Sequence, residues 1–276
     1  MKTFLPRCRG RLSQYGGMSP RRRFLMISAL VAVIALLAVV GIQFIRGNGD
    51  PQTPADQAEQ GTVLLVPGYG GGTGALSRLA ERLRTAGRDV EIVTPPGDGT
   101  GDLRAQADTL EAAAERVIAG GAPSVDVVGY SAGGVVTRVW LDRHKRARST
   151  RRVVTLGSPL HGTKLAAAGS ALAPGSCPTA CRQLVPGNDF LDDLDDLPVP
   201  VPWLSVWTEN DETVQPPDSA RLDGAVNVSL QSLCPDARVS HSQLPLDPLV
   251  TGLVLRALGT DPVTVPKDCQ TLRGVT

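Results

Sequence analysis

Aromatic residues are scarce in this sequence: Phe, Trp and Tyr together make up 4% of it. Any core must therefore be packed with aliphatic side chains, and the 42% apolar share is large enough to supply them. Charge of one sign is also missing. A formal net charge of +1 with 20% charged residues gives no field that would attract nucleic acid, and no such partner is expected. There is no C-x-x-C pair, and no His stands at ligand spacing from a Cys, so zinc is not expected, and no residue is assigned to a metal. Internal repeats are absent. Histidine occurs three times, and a base for catalysis must be chosen among His144, His161 and His241.

One long apolar run is present. Phe24 to Ile45 (FLMISALVAVIALLAVVGIQFI) carries no charge and has the roughly 20 residues needed to span a bilayer. Arg7, Arg9, Arg11 and Arg21-Arg22-Arg23 precede it, and Arg46 alone follows before an acidic and polar stretch. The positive-inside rule keeps residues 1–23 in the cytoplasm and exports the rest, giving a single-pass protein of the cell membrane. A cleaved signal, with Arg21-Arg22-Arg23-Phe24-Leu25 loosely of twin-arginine type, is the alternative, and the domain would then be secreted. No A-x-A-like site stands near Gly47. Residues 46–61 have no apolar periodicity and read as a flexible linker, so a folded domain is expected over 62–276.

Cysteine usage agrees with export. Cys8 falls on the cytoplasmic side, while Cys177, Cys181, Cys234 and Cys269 all fall in the exported part. Two disulfides are expected there. Three connectivities are open, and sequence proximity favours Cys177–Cys181 with Cys234–Cys269.

Strand and helix signals alternate along the domain. Short apolar runs at Val63–Val66, Val90–Val93, Val125–Val128, Val153–Leu156, Leu204–Trp207 and Ala225–Ser229 read as buried strands. Helical periodicity covers Ala75–Ala86, Asp102–Ala119, Ala132–His144 and Leu246–Leu258, with Leu76, Leu79, Ala80 and Leu83 at i, i+3, i+4, i+7 in the first. This alternation predicts an α/β fold with a mainly parallel sheet covered by helices on both faces. Residues 157–202 break the rhythm. They are too long for an ordinary connection and are read as a cap or lid, with a disulfide-pinned surface excursion as the alternative.

The chemistry centres on Gly129-Tyr130-Ser131-Ala132-Gly133. An isolated G-x-S-x-G is a modest signal. Here a buried strand runs into it and an amphipathic helix leaves it, as a nucleophile lifted above a sheet on a strained turn requires. The alternative is a serine that only caps the helix. A serine needs a base. His144 lies in the charged helix end Asp142-Arg143-His144-Lys145-Arg146 and reads as surface. His161 follows a strand, where a structural role is favoured. His241 lies between the last strand and the last helix, at the carboxyl edge of the sheet, and leaves room for an acid between it and Ser131. That acid is expected at Asp211, just past the strand Leu204–Trp207. Glu209 is its nearest rival, ahead of Glu212 and Asp218.

Pro67-Gly68-Tyr69-Gly70-Gly71-Gly72-Thr73-Gly74 is glycine-rich but has no P-loop lysine. A dinucleotide site would need an acid at the end of the next strand, where Thr94-Pro95 stands instead. The loop is read as an oxyanion loop, acting together with the N–H of Ala132.

Taken in order, Pro67-Gly68-Tyr69-Gly70-Gly71, Gly129 to Gly133, Gly157-Ser158-Pro159-Leu160-His161-Gly162-Thr163, Asp211 and His241 resemble bacterial lipases and esterases of the α/β-hydrolase superfamily. The likeness spans about Val63 to Leu258 and is directed at small secreted lipases of the actinomycete and Bacillus kind. These often carry His-Gly-x-Gly-Gly in the first loop; here Pro67 replaces that His. The resemblance implies that Tyr69 and Ala132 supply the oxyanion N–H groups and that Ser131, Asp211 and His241 form a triad. It implies hydrolysis of hydrophobic or lipid esters by a monomer without a cofactor. A thioesterase or acyltransferase of the same fold, or a non-catalytic envelope protein that keeps the fold, are the alternatives.

Overall fold

The computed structural model describes residues 20–47, 54–265 and 269–274. The chain divides into two units, Met1–Asn48 and Gly49–Thr276, each described on its own. In the first, Pro20–Gly47 form one continuous helix, α1. Its described apolar side chains, among them Leu25, Leu30, Ile34 and Leu37, are exposed. Among the described residues no helix is long and apolar enough to cross a membrane. The span expected at 24–45 is therefore not shown. Within it, side chains are described at 25–37 only, fewer residues than a bilayer requires.

The second unit alternates strands and helices in chain order. β1 (Thr62–Val66), α2 (Gly74–Thr85), β2 (Val90–Ile92), α3 (Leu103–Ala119), β3 (Val125–Tyr130), α4 (Ala132–Arg143) and β4 (Thr150–Leu156) form its first half. Three short helices, α5 (Lys164–Leu172), α6 (Thr179–Gln183) and α7 (Asp189–Asp195), precede β5 (Trp203–Trp207) and β6 (Val226–Ser229). Then come α8 (Leu230–Leu233), a 3₁₀ turn at His241–Leu246, α9 (Pro248–Ala257) and α10 (Cys269–Arg273). The strands make one parallel six-stranded sheet in the order β2-β1-β3-β4-β5-β6.

Alternating strand side chains feed two cores. Leu64, Val66, Val127 and Val153 pack with α3 and α4 on one face. Val63, Leu65, Val128 and Val154 pack with α2 and α9 on the other. With both faces covered, the strands need continuous apolar runs rather than alternation. Leu76, Leu79, Ala80 and Leu83 are the buried face of α2, and Gly87, at φ 82°, turns the chain after it. The Asp102 carboxylate caps α3 by accepting the Arg104 N–H at 2.9 Å. Asp247 caps α9 in the same way at Leu249, with Pro248 at the first helical position.

At the amino-terminal edge of the sheet, Arg88, Arg151 and Arg152 are buried around Asp126. One Asp126 oxygen accepts from Arg88 at 2.6 Å and from Arg151 at 2.5 Å. The three guanidinium groups also donate to the carbonyls of Ala257, Leu258, Gly259 and Thr260. The cations thus sit at the negative end of α9, where the helix dipole favours them. Gln57 accepts from Arg152 Nε at 3.1 Å and donates to the Arg151 carbonyl at 3.1 Å. Ordered contacts therefore begin upstream of Thr62.

Much of 157–202 is docked rather than free. Leu160, Ala166, Ala180, Leu184, Phe190 and Leu191 join the α3–α4 core. Arg138 of α4 donates to the carbonyls of Leu194, Leu197 and Pro198. α5 is the exception: it buries Ala166 while Leu165 and Leu172 stand in solvent. Both proximal disulfides form, Cys177–Cys181 within this segment and Cys234–Cys269 between α8 and α10.

Candidate active site

β3 ends at Tyr130 and α4 begins at Ala132, so a single residue, Ser131, makes the turn. Its backbone stands at φ 52°, ψ −126°, a conformation an L-residue adopts only under constraint. Glycine on either side makes the turn passable. A Cβ on Gly133 would lie 2.3 Å from the Val66 carbonyl oxygen, and one on Gly129 would lie 2.7 Å from the Gly134 Cα. The Ser131 hydroxyl consequently rises at the carboxyl edge of the sheet, at the amino end of α4.

His241 opens the 3₁₀ turn that follows the last strand, and Asp211 lies in the loop after β5. The sheet brings all three together. The Ser131 hydroxyl donates to His241 Nε2 at 3.0 Å, and His241 Nδ1–H donates to Asp211 Oδ2 at 2.7 Å. A carboxylate can only accept, so its neighbour Nδ1 carries the proton and Nε2 is left as the acceptor facing the serine. The second Asp211 oxygen accepts the backbone N–H groups of Thr213 at 2.9 Å and Val214 at 2.7 Å. All three side chains are buried.

The rivals are placed elsewhere. Glu209 is exposed and accepts from Trp207 Nε1 at 3.1 Å. Asp218 is exposed in a separate turn. Glu212 does not reach the imidazole ring by any hydrogen bond described; its carboxylate accepts the backbone N–H of His241 at 3.1 Å. His144 pairs with Asp108 at 2.9 Å. His161 is half exposed, between the Ser219 carbonyl (3.1 Å) and Asp195 (3.5 Å). Burial pushes the Asp195 carboxyl above its usual range, against the pull of His161 and Arg138.

Ala132 is the first residue of α4, so its N–H has no partner within the helix. The glycine-rich loop lies over the serine, since a Cβ on Gly68 would sit 2.8 Å from Ser131 Cβ. Tyr69 is the next residue, with its side chain largely exposed. Gly70 and Gly71 hold this loop at φ 81° and 65°, and the Gly70 N–H donates to the Gly99 carbonyl at 3.2 Å. Pro95 packs on Gly71.

Three residues of the site have roles that the sequence did not assign to them. Gly157, at φ 54°, lets β4 pass under the triad: a Cβ there would lie 3.1 Å from His241 Nδ1 and 3.2 Å from Asp211 Oδ2. Its place just past a strand end was the available signal. Tyr130 donates its hydroxyl to the His241 carbonyl at 3.3 Å and packs its ring at 5.3 Å from the imidazole. Burial, with Asp211 and Glu212 nearby, pushes its hydroxyl up to about 12. Glu212 is the third, as a backbone partner rather than an acid.

No protein-family model matches the chain, and no curated protein does. Solved structures do. Lipase B of Aspergillus fumigatus is 21% identical over 81% of this chain with a TM-score of 0.65, and the chain spans 59% of that protein's length. A mature lipase of Bacillus licheniformis is 22% identical over 76% of this chain and 96% of its own, with a TM-score of 0.61. A metagenome-derived lipolytic enzyme is 18% identical over 75% of this chain and 99% of its own, at 0.55. Together with the sheet order and the serine turn, these establish the α/β-hydrolase fold.

Proposed function

We propose that this protein is a serine hydrolase of carboxylic esters, a lipase or esterase, acting on hydrophobic acyl esters. The observation that carries the reading is the continuous path from Asp211 through His241 to a serine held in a strained turn, at 2.7 and 3.0 Å. The three similar structures are themselves described as lipases or lipolytic enzymes, which supports it. In this reading His241 Nε2 takes the Ser131 proton as Oγ bonds to the acyl carbon. The oxyanion receives the N–H groups of Ala132 and Tyr69, together with the positive end of α4. Asp211 stabilises the imidazolium, which returns its proton to the leaving oxygen. Water, deprotonated by His241, then releases the acid from the acyl-enzyme. No cofactor enters.

The exposed apolar residues of α5 support a hydrophobic substrate. Retention at the cell membrane with the second unit outside is part of the same proposal. It is supported by the apolar run at 24–45, the arginines before it and the two disulfides. The test is turnover by the full-length protein of p-nitrophenyl esters from short to long acyl chains, beside one thioester. Ester hydrolysis lost in Ser131→Ala supports the reading. Activity retained in that variant overturns it, and preference for the thioester would move the substrate class.

A further inference from the structure

Catalytic imidazoles must keep one ring orientation, and the triad fixes this ring only through its two nitrogens. The His241 backbone has its own attachments. Glu212, the residue after the triad acid, accepts the His241 N–H at 3.1 Å. Tyr130, the residue before the nucleophile, donates its hydroxyl to the His241 carbonyl at 3.3 Å. The Tyr130 ring also flanks the imidazole, with centroids 5.3 Å apart and planes at 31°.

We infer that Tyr130 and Glu212 form a clamp on the His241 backbone that positions the imidazole between Ser131 and Asp211. Each arm is rooted one residue from another member of the triad, so the three loops are coupled directly. Asp211 and Glu212 hold the same histidine by ring and by backbone. Tyr130, the last residue of β3, ties the serine turn to the loop that delivers the base. The chemistry of the arms suits a permanent attachment. Burial and the two neighbouring carboxylates keep the Tyr130 hydroxyl protonated up to about 12, so it remains a donor throughout the range in which a histidine base works. Thr208 reinforces the same junction, donating to the Val239 carbonyl at 2.7 Å.

The inference rests on the hydrolase reading above, and its test separates the two. Tyr130→Phe, Tyr130→Ala, Glu212→Ala and the double variant Tyr130→Phe/Glu212→Ala, in which no side-chain oxygen remains at 212 to accept the His241 N–H, are made in the full-length protein, with Glu209→Gln as the control. Two readouts are taken: kcat and KM on a p-nitrophenyl ester, and the downfield proton resonance of the His241 Nδ1–H shared with Asp211. A single lost hydrogen bond should lower kcat by about threefold to tenfold with KM little changed. Tyr130→Phe keeps the ring and should retain more activity than Tyr130→Ala. The double variant should lose more than the product of its single losses, because either arm alone partly holds the backbone. The resonance should broaden in the double variant and stay sharp in Glu209→Gln. Unchanged kcat and an unchanged resonance in the double variant overturn the clamp. An equal rise in KM with kcat preserved also overturns it, by assigning these residues to substrate binding. If the wild type turns over no ester, the hydrolase reading fails, and the resonance alone decides whether Tyr130 and Glu212 hold the ring.

Discussion

Replacing Asp211 by Asn separates what its two carboxylate oxygens do. Oδ1 accepts the N–H groups of Thr213 and Val214, and an Asn side-chain oxygen can keep both bonds. The position of Oδ2, 2.7 Å from His241 Nδ1, would then be taken by an amide N–H₂. Two donors cannot face each other, so the ring must place its proton on Nε2 and its lone pair on Nδ1. Nε2–H then points at Ser131, 3.0 Å away, and the serine has no acceptor for its proton. A wrong tautomer of this kind lowers the rate by about 10⁴, equivalent to roughly 5 kcal/mol of transition-state stabilisation. Stability should change little, since the loop bonds survive. Asp211→Ala should lose similar activity and also leave two backbone N–H groups unpaired in a buried loop, costing about 2–5 kcal/mol. The assay is kcat/KM on a p-nitrophenyl ester beside urea unfolding of each variant. Asp211→Asn within about tenfold of wild type would refute the assignment of the acid and return attention to Glu209.

Other outcomes follow from particular contacts. Gly133→Ala puts a Cβ 2.3 Å from the backbone oxygen of Val66, which cannot yield, so the variant should fold poorly or lose about 2 kcal/mol or more in chemical denaturation. Asp126→Asn removes the carboxylate that buried Arg88 and Arg151 share and should destabilise the protein by about 3–5 kcal/mol in the same assay. Cys234–Cys269 closes a separation of 35 residues and Cys177–Cys181 one of 4, so Cys234→Ser/Cys269→Ser should lower stability about twice as much as Cys177→Ser/Cys181→Ser, roughly 4 against 2 kcal/mol. Tyr130 carries a hydroxyl raised in the folded state to about 12 from the ordinary 10.0. Its stabilising effect is complete below pH 10 and is lost as pH rises toward 12, because the unfolded chain ionises first. Alkaline unfolding of Tyr130→Phe against wild type checks this, and the variant should show a shallower loss across that window.

The strands were legible because both faces of the sheet are covered, which demands runs such as Val63-Leu64-Leu65-Val66 with turn residues at their ends. β4 was legible only from Val153. It begins at Thr150, and Arg151 and Arg152 look like surface until the carbonyls at the end of α9 are there to receive them. Helices with long periodic faces, α2 and α3 above all, could be read from spacing. α6, α8 and α10 have at most five residues each, too few for a period to register. Choosing Asp211 over Glu209 from sequence rested on position past a strand. In the structure the loop decides it, because the Thr213 and Val214 N–H groups turn one carboxylate inward while Glu209 remains outside with Trp207. Tyr130 and Gly157 could not be weighed from sequence, because their partners are 111 residues away in one case and on two different loops in the other.

The central claim is that Ser131 is a nucleophile activated by His241. Treating the full-length protein with a fluorophosphonate and locating the adduct by peptide mass spectrometry tests it directly. The account predicts one modified residue, Ser131, with labelling abolished in Ser131→Ala and strongly slowed in His241→Ala. A folded wild-type protein that takes up no label, or one that labels equally fast without His241, would contradict it.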